Sequence, residues 1–264
     1  MSRLLIASID RFGPIQNDVR DSLADCSQSV LQVPAGDILV PAGAPSQFRL
    51  LSRGVAVRQH VLADGGRQIL GFATPGDLLD LSGLFTGCDH DVRALGVCEI
   101  RQTSAHEVRA LVRRHPNLLA ALCRAVMTEA RLQRNWMVGL GRRSAMARTA
   151  NLFCEVYARQ KTVAMAQDGR CQFPALQSDI ADALGLSVVH THRVLQSLKK
   201  AGLATLRDGQ LTILDWDGLA ALAEFDPACF RPQHDPAALA AVREVPTLPP
   251  EPWPRPRPSA ISNG

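Results

Sequence analysis

Two imidazoles and a guanidinium fall within four residues of one another in the stretch LGLSVVHTHRVLQSLKKAGL, residues 184–203. Imidazoles ligate metals, and a guanidinium fork bonds guanine edges or phosphates. His190 and His192 are two positions apart, and on a helix of 3.6 residues per turn such neighbours point about 200° apart. A single helix therefore cannot chelate a metal through both, which leaves a recognition surface or a solvated face. Arg193 has the reach for direct base readout, because its fork can bond both major-groove acceptors of guanine. Val188 and Val189 offer apolar contact to thymine methyls, and His192 and Gln196 point outward beside them. His190 lies on another side of the helix and would meet backbone phosphate or water. Lys199, Lys200 and Arg207 suit phosphate contact or plain surface charge.

These side chains need elements that hold them, and residues 177–196 have the pattern of a helix-turn-helix. Ile180 and Leu184 form the buried stripe of a first helix, Ala181 is small where a second helix crosses, and Gly185 stands where the turn wants no Cβ. Leu186 plugs the core below the turn. Ser187 can cap the second helix through its hydroxyl, after which Val194 and Leu198 face inward. The following AGLATLRDGQLTILD gives two short extended runs around Asp208-Gly209, a β-hairpin wing. A helix-turn-helix with a wing places its second helix in the major groove of DNA.

Further upstream, residues 30–100 break into short apolar runs punctuated by glycine, the texture of a small β sandwich or barrel. Asp64-Gly65-Gly66 in VRQHVLADGGRQILGF supplies the clearest hairpin turn. After Ser104 the texture becomes helical. One long helix is expected over residues 116–140, opening on a proline, which the first turn tolerates. Its apolar positions Leu118, Leu122, Val126, Leu132, Trp136 and Leu140 suggest the seam of a two-stranded helix pair. Gly139 and Gly141 mark an expected hinge before a further helix, and beyond residue 225 a proline-rich tail cannot bury a core. The expected division is 1–115, 116–140, 141–225 and 226–264.

The chain has 264 residues, a formal charge of +4 and 46% hydrophobic residues, enough for two small cores. Between residues 101 and 148 there are ten arginines against two glutamates. Seven scattered cysteines without a C-x-x-C spacing indicate neither a disulfide framework nor a zinc knuckle. The start MSRLLIASIDRFG lacks the make-up of a signal peptide, and no stretch approaches the ~20 apolar residues of a membrane span. A cytoplasmic protein without a membrane partner is expected. No paired carboxylates, His-Cys nucleophile or glycine-rich phosphate loop points to an enzyme.

From residue 30 to 225 the chain resembles the cyclic-AMP receptor protein and fumarate-nitrate reductase regulator (Crp/Fnr) family of bacterial transcription factors. The resemblance is carried by GDLLDLSGLF, VRALGVCEI, the long helix from HPNLL, and IADALGLSVVHTHRVLQSLKKAGL. It implies an α+β fold: an N-terminal cyclic-nucleotide-binding-like β barrel of the jelly-roll type, a long dimerisation helix and a C-terminal winged helix-turn-helix. It further implies a homodimer on a two-fold site in double-stranded DNA, with RNA polymerase as a partner.

The departures bear on the effector. Leu81 stands where cyclic-nucleotide binders have the glutamate for the ribose, and the loop TGCDHDVR carries Asp89, His90 and Asp91 in place of the arginine-serine phosphate clasp. Gln133 and Arg134 replace the small hydroxyl pair that reaches adenine. Cyclic AMP is therefore not expected as a ligand. An iron–sulfur cluster needs four thiolates, and the first forty residues hold Cys26 alone. Haem on Cys88 or His90 is not expected either, so no cofactor or metal is assigned. The alternative from another class is a small-molecule or redox sensor, using Cys26 or Cys88, whose helical part is a protein-partner module without operator binding.

Overall fold

The structure, a computed structural model, describes residues 2–13, 15–44, 47–84 and 86–230. Phe85, and residues 231–264 of the proline-rich tail, lie outside the described residues. Two short helices come first, α1 (Ser2–Asp10) and α2 (Asn17–Ala24). Neither is anticipated by the sequence reading. Each buries one i,i+4 pair, Leu5 with Ile9 and Val19 with Leu23, against the helices that follow the sheets.

Seven strands then alternate short apolar stretches with turns: β1 (Ser29–Val33), β2 (Ile38–Val40), β3 (Gln47–Arg53), β4 (Ala56–Val61), β5 (Arg67–Ala73), β6 (Asp91–Ala94) and β7 (Cys98–Ser104). They form two antiparallel sheets in the orders β1-β7-β3 and β2-β6-β4-β5, closed over Val40, Leu51, Ala56, Leu79, Val92 and Ile100. The expected hairpin joins β4 to β5 in the register His60↔Gln68 and Val61↔Arg67. Gly65 has φ +84, and the Asp64 carboxylate accepts from the Gly66 amide at 2.9 Å, the local bonding that favours aspartate in turns.

Ser104 ends β7 and caps α3 (Ala105–Arg114), accepting from the His106 amide at 3.2 Å. The long helix α4 runs Pro116–Arg142, with its proline in the first turn. It passes through Gly139 and Gly141 without a break, which corrects both the expected end at residue 140 and the expected hinge. The break falls instead at Arg143, whose ψ of 150° is extended, because Ser144 caps the next helix by accepting from the Ala147 amide at 3.1 Å. Capping chemistry outweighs glycine here.

Helix α5 (Ala145–Thr162) is the centre of the C-terminal core, buried along Leu152, Phe153 and Val156. Around it lie β8 (Arg170–Gln172), α6 (Gln177–Leu184), α7 (Val188–Lys200), β9 (Ala204–Arg207), β10 (Gln210–Ile213) and α8 (Trp216–Ala223). The wing strands β9 and β10 pair as expected, and β8 adds an unforeseen third strand through Leu211↔Cys171. The class is mixed helix and sheet: β barrel, long helix, winged helix-turn-helix.

Candidate nucleic-acid interface

Helix α6 buries Ile180, Ala181 and Leu184, and its end is set by Gly185 at φ +60, ψ +45. That left-handed position closes the turn, and the Leu186 amide returns to the Ala181 carbonyl at 3.0 Å. Ser187 then caps α7 by accepting from the His190 amide at 3.2 Å. The inward face of α7 is Thr191, Val194 and Leu198, all buried. Thr191 escaped the sequence reading; it sits between the two histidines, where a hydroxyl reads as another surface residue.

The outward face carries what the sequence placed there. Val188 and Val189 are 49% and 63% exposed, and His190, His192, Arg193, Gln196, Lys199 and Lys200 are exposed with them. His190 and His192 straddle buried Thr191 and so flank the inward stripe from opposite sides. Arg207 closes β9 beside a two-residue turn, Asp208 at φ +51 and Gly209 at φ +72, a conformation that matches strand twist. Its ion pair with Asp208, at 3.9 Å between fully solvated groups, leaves the guanidinium free to turn to another anion. All ten candidate DNA-contacting residues, Ser187 included, are solvent-facing.

The helix seam requires a correction. Leu118 and Leu122 are buried in the N-terminal core of their own chain and Leu132 is buried as well, so none has surface to offer a second helix. Trp136 is half-buried against the C-terminal core and donates its indole N–H to Glu155 at 2.7 Å. Val126 and Leu140 are exposed as expected. With them the outer stripe comprises Leu119, Cys123 and Met137, the last 71% exposed. Leu119, Val126 and Leu140 recur in multiples of seven, with Cys123 and Met137 interleaved, which is a heptad seam rotated from the one read in the sequence.

The arginine-rich middle section is largely engaged within the chain. Arg109 donates to the Leu84 carbonyl at 2.9 Å, Arg124 to the Phe12 carbonyl, and Arg131 pairs with Asp226 at 3.0 Å. It does not extend the α7 face.

Between barrel and α4 lies a cavity of about 390 Å³, lined among others by Arg11, Arg58, Asp77, Asp80, Glu129 and Gln133. Arg11 pairs with Asp77 at 2.7 Å, Arg58 with Glu129 at 3.5 Å, and Gln133 donates to the Leu70 carbonyl at 2.8 Å. Arg134 is exposed, away from the cavity lining. Arg159 of α5, 5% exposed, reaches Asp77, Glu129 and Glu155 at 3.1, 3.2 and 3.1 Å. Despite burial, these arginines hold the Asp77 carboxyl far below the usual carboxylate range. Burial pushes the Glu155 carboxyl up. The sequence reading found none of this cluster.

Burial, reinforced by Glu107 at Cys26 and by acidic neighbours at Cys88, raises both thiols; a raised thiol carries less of the reactive thiolate. Among the described residues no three His, Cys, Asp or Glu side chains stand together in a metal-binding group, and no helix is long and apolar enough to cross a membrane.

Comparison with known proteins decides the family. Residues 30–115 match the cyclic nucleotide-binding domain model, and residues 147–222 the Crp-like helix-turn-helix domain. The nitrogen fixation regulation protein FixK of Bradyrhizobium diazoefficiens is 31% identical over 180 residues, covering 67% of this chain and 74% of that protein. The chain belongs to the Crp/Fnr family of transcription regulators. Another Crp/Fnr relative, the transcriptional activator protein FnrA of Stutzerimonas stutzeri, is 28% identical over 208 residues, covering 77% of this chain and 84% of its own. The structure of FixK2 from Bradyrhizobium japonicum has the same fold, with a TM-score of 0.66 at 22% identity over 74% of this chain and 97% of that one. As a Crp/Fnr member the chain is a DNA-binding transcription regulator and not an enzyme.

Proposed function

We propose that this regulator acts in the cytoplasm as a homodimer joined along the exposed stripe of α4, with one α7 in each of two successive major grooves. The observation that carries the reading is the two-sided α7. Its buried Thr191, Val194 and Leu198 fix the helix, while Val188, Val189, His192, Arg193 and Gln196 face solvent on a rigid support. Arg193 reads guanine, the valines meet thymine methyls, and Ser187, His190, Lys199, Lys200 and Arg207 lie toward phosphate. The relatives named as transcriptional activators support RNA polymerase as the further partner.

We infer also that the barrel works without cyclic AMP, an iron–sulfur cluster or haem. The two arginines on the cavity wall are already engaged by Asp77 and Glu129, so a phosphodiester would have to compete with bound carboxylates for them. Leu81 brings no carboxylate for a ribose. Calorimetry with cyclic AMP is expected to show no binding at micromolar concentrations; a one-to-one complex there overturns this part.

DNA recognition itself is tested by selecting bound sequences from a random duplex pool with the full chain. The expected product is an inverted repeat whose half-sites lie about one helical turn apart, ~34–36 Å. A pool that emerges unenriched at physiological salt refutes operator binding and favours the protein-partner reading.

A further inference from the structure

We propose that Arg67, which lies in the barrel and outside the recognition helix, is a positioning residue for DNA readout that sets the half-site spacing the dimer accepts; this rests on the operator binding proposed above. Arg67 opens β5 at the base of the β4–β5 hairpin. Its Nε donates to Asp182 at 2.7 Å and its Nη2 to Asp179 at 2.7 Å, so one guanidinium grips two carboxylates of α6. Those carboxylates are three residues apart, on one face of the helix. The neighbouring Gln68 amide lies 3.5 Å from the Ala183 carbonyl at the end of the same helix. Phe72, further along β5, stacks edge-on against Phe173 at a centroid separation of 4.9 Å. The hairpin thus holds the helix-turn-helix at its first helix, and the tie is bidentate and charge-assisted.

A second tie acts from the other side. Arg159 of α5 joins the DNA-binding part to Asp77 of the barrel and Glu129 of α4. Arg67 fixes α6 to the barrel and Arg159 fixes α5 to the barrel and α4, and α7 packs on both of those helices. In a two-fold complex the orientation of each α7 relative to the α4 seam determines how far apart the two recognition helices enter the groove. Arg67 touches neither α7 nor its outward face, so its loss leaves base contacts intact while freeing that orientation. Asp179 has a second task, accepting from the Leu176 amide at 2.8 Å at the start of α6, whereas half-exposed Asp182 is paired with Arg67. Asp182 is therefore the cleaner partner to alter.

The test uses the full-length chain and duplexes in which two copies of the selected half-site are separated by a stepped series of spacers. Wild type is expected to prefer one spacing. Arg67→Gln and Asp182→Asn are expected to lower that preference by roughly tenfold, equivalent to ~1.4 kcal/mol, while the ranking of base substitutions within each half-site stays unchanged. The conservative Arg67→Lys, which keeps a cation beside both Asp179 and Asp182, is expected to retain the larger part of the spacing preference. If Arg67→Gln and Asp182→Asn both keep the wild-type spacing profile, the positioning role is refuted while operator binding stands. If they lose half-site base preference as well, the contact is merely structural and the proposal is equally refuted. Wild-type protein that enriches no duplex at all would remove operator binding and this inference with it.

Discussion

Arg193→Ala removes a guanidinium that is exposed, carries no carboxylate partner among the described residues, and sits one position from buried Val194. Folding should hardly register the change, since surface substitutions of this kind usually fall within about ±0.5 kcal/mol. Binding should register it strongly. A bidentate contact to guanine is worth ~1–3 kcal/mol, roughly a 5- to 150-fold loss per half-site, and about twice that energy on a symmetric site if the halves are independent. The loss has to be concentrated at one guanine: operator variants lacking that base should bind wild type and variant alike. Fluorescence anisotropy on a panel of single-base operator variants, read beside thermal melting, separates these effects. Lys199→Ala gives the contrast, weakening every sequence equally and lowering the salt slope by about one. Equal losses for Arg193→Ala on every variant would make it a phosphate contact and refute its role in base readout.

The α4 seam predicts that Val126→Glu and Met137→Glu sediment as folded monomers at micromolar concentration, with a melting temperature lowered by the loss of the dimer. Leu132→Glu should instead unfold the chain's own core, at several kcal/mol, because it buries an unpaired charge; a stable Leu132→Glu monomer would restore the original assignment. Alkylation should label Cys123, exposed on the single chain, quickly in the monomeric Met137→Glu variant and more slowly in the wild-type dimer, whose seam covers it. Burial pushes the Cys154 and Cys171 thiols up to about 12, leaving roughly one thiolate in ten thousand at pH 8, so both should stay protected until the protein unfolds. Fast labelling of either would show that the core around α5 opens.

What was legible in the sequence was whatever rests on local chemistry. The turn at Gly185, the cap at Ser187 and the wing turn at Asp208-Gly209 each follow from one residue's steric or hydrogen-bonding need, and each is found where that need places it. The two sheets follow from short apolar runs cut by glycine turns in the same way. Helices α1, α2 and α3 were missed because each is at most ten residues long and shows only one or two apolar repeats. Helix α4 is legible but its two stripes are not separable: of the expected seam Val126 and Leu140 are exposed, while Leu118, Leu122 and Leu132 are covered by the chain itself. Leu118, Leu122 and Leu132 make as good a periodic stripe as Leu119, Val126 and Met137, and periodicity cannot say which stripe the chain itself covers. For Leu118 and Leu122 that choice is made by the N-terminal core, to which α1, α2 and α3 contribute.

The charged cluster fails to show in the sequence for a different reason. Arg58, Asp77, Glu129 and Arg159 come from β4, the loop after β5, α4 and α5, and each alone reads as a solvated side chain. Only Glu155 and Arg159 left a trace: an i,i+4 charge pair inside LFCEVYARQ, a stretch otherwise apolar enough to be buried all round. Once buried, the members support one another unequally: loss of Glu129 leaves Arg159 with Asp77 and Glu155, whereas loss of Arg159 takes a cation from three carboxylates at once. Its carboxylates on the cavity wall, Asp77 and Glu129, are thus both paired with an arginine of the DNA-binding part, and neither contact can be lost without taking a partner from Arg159.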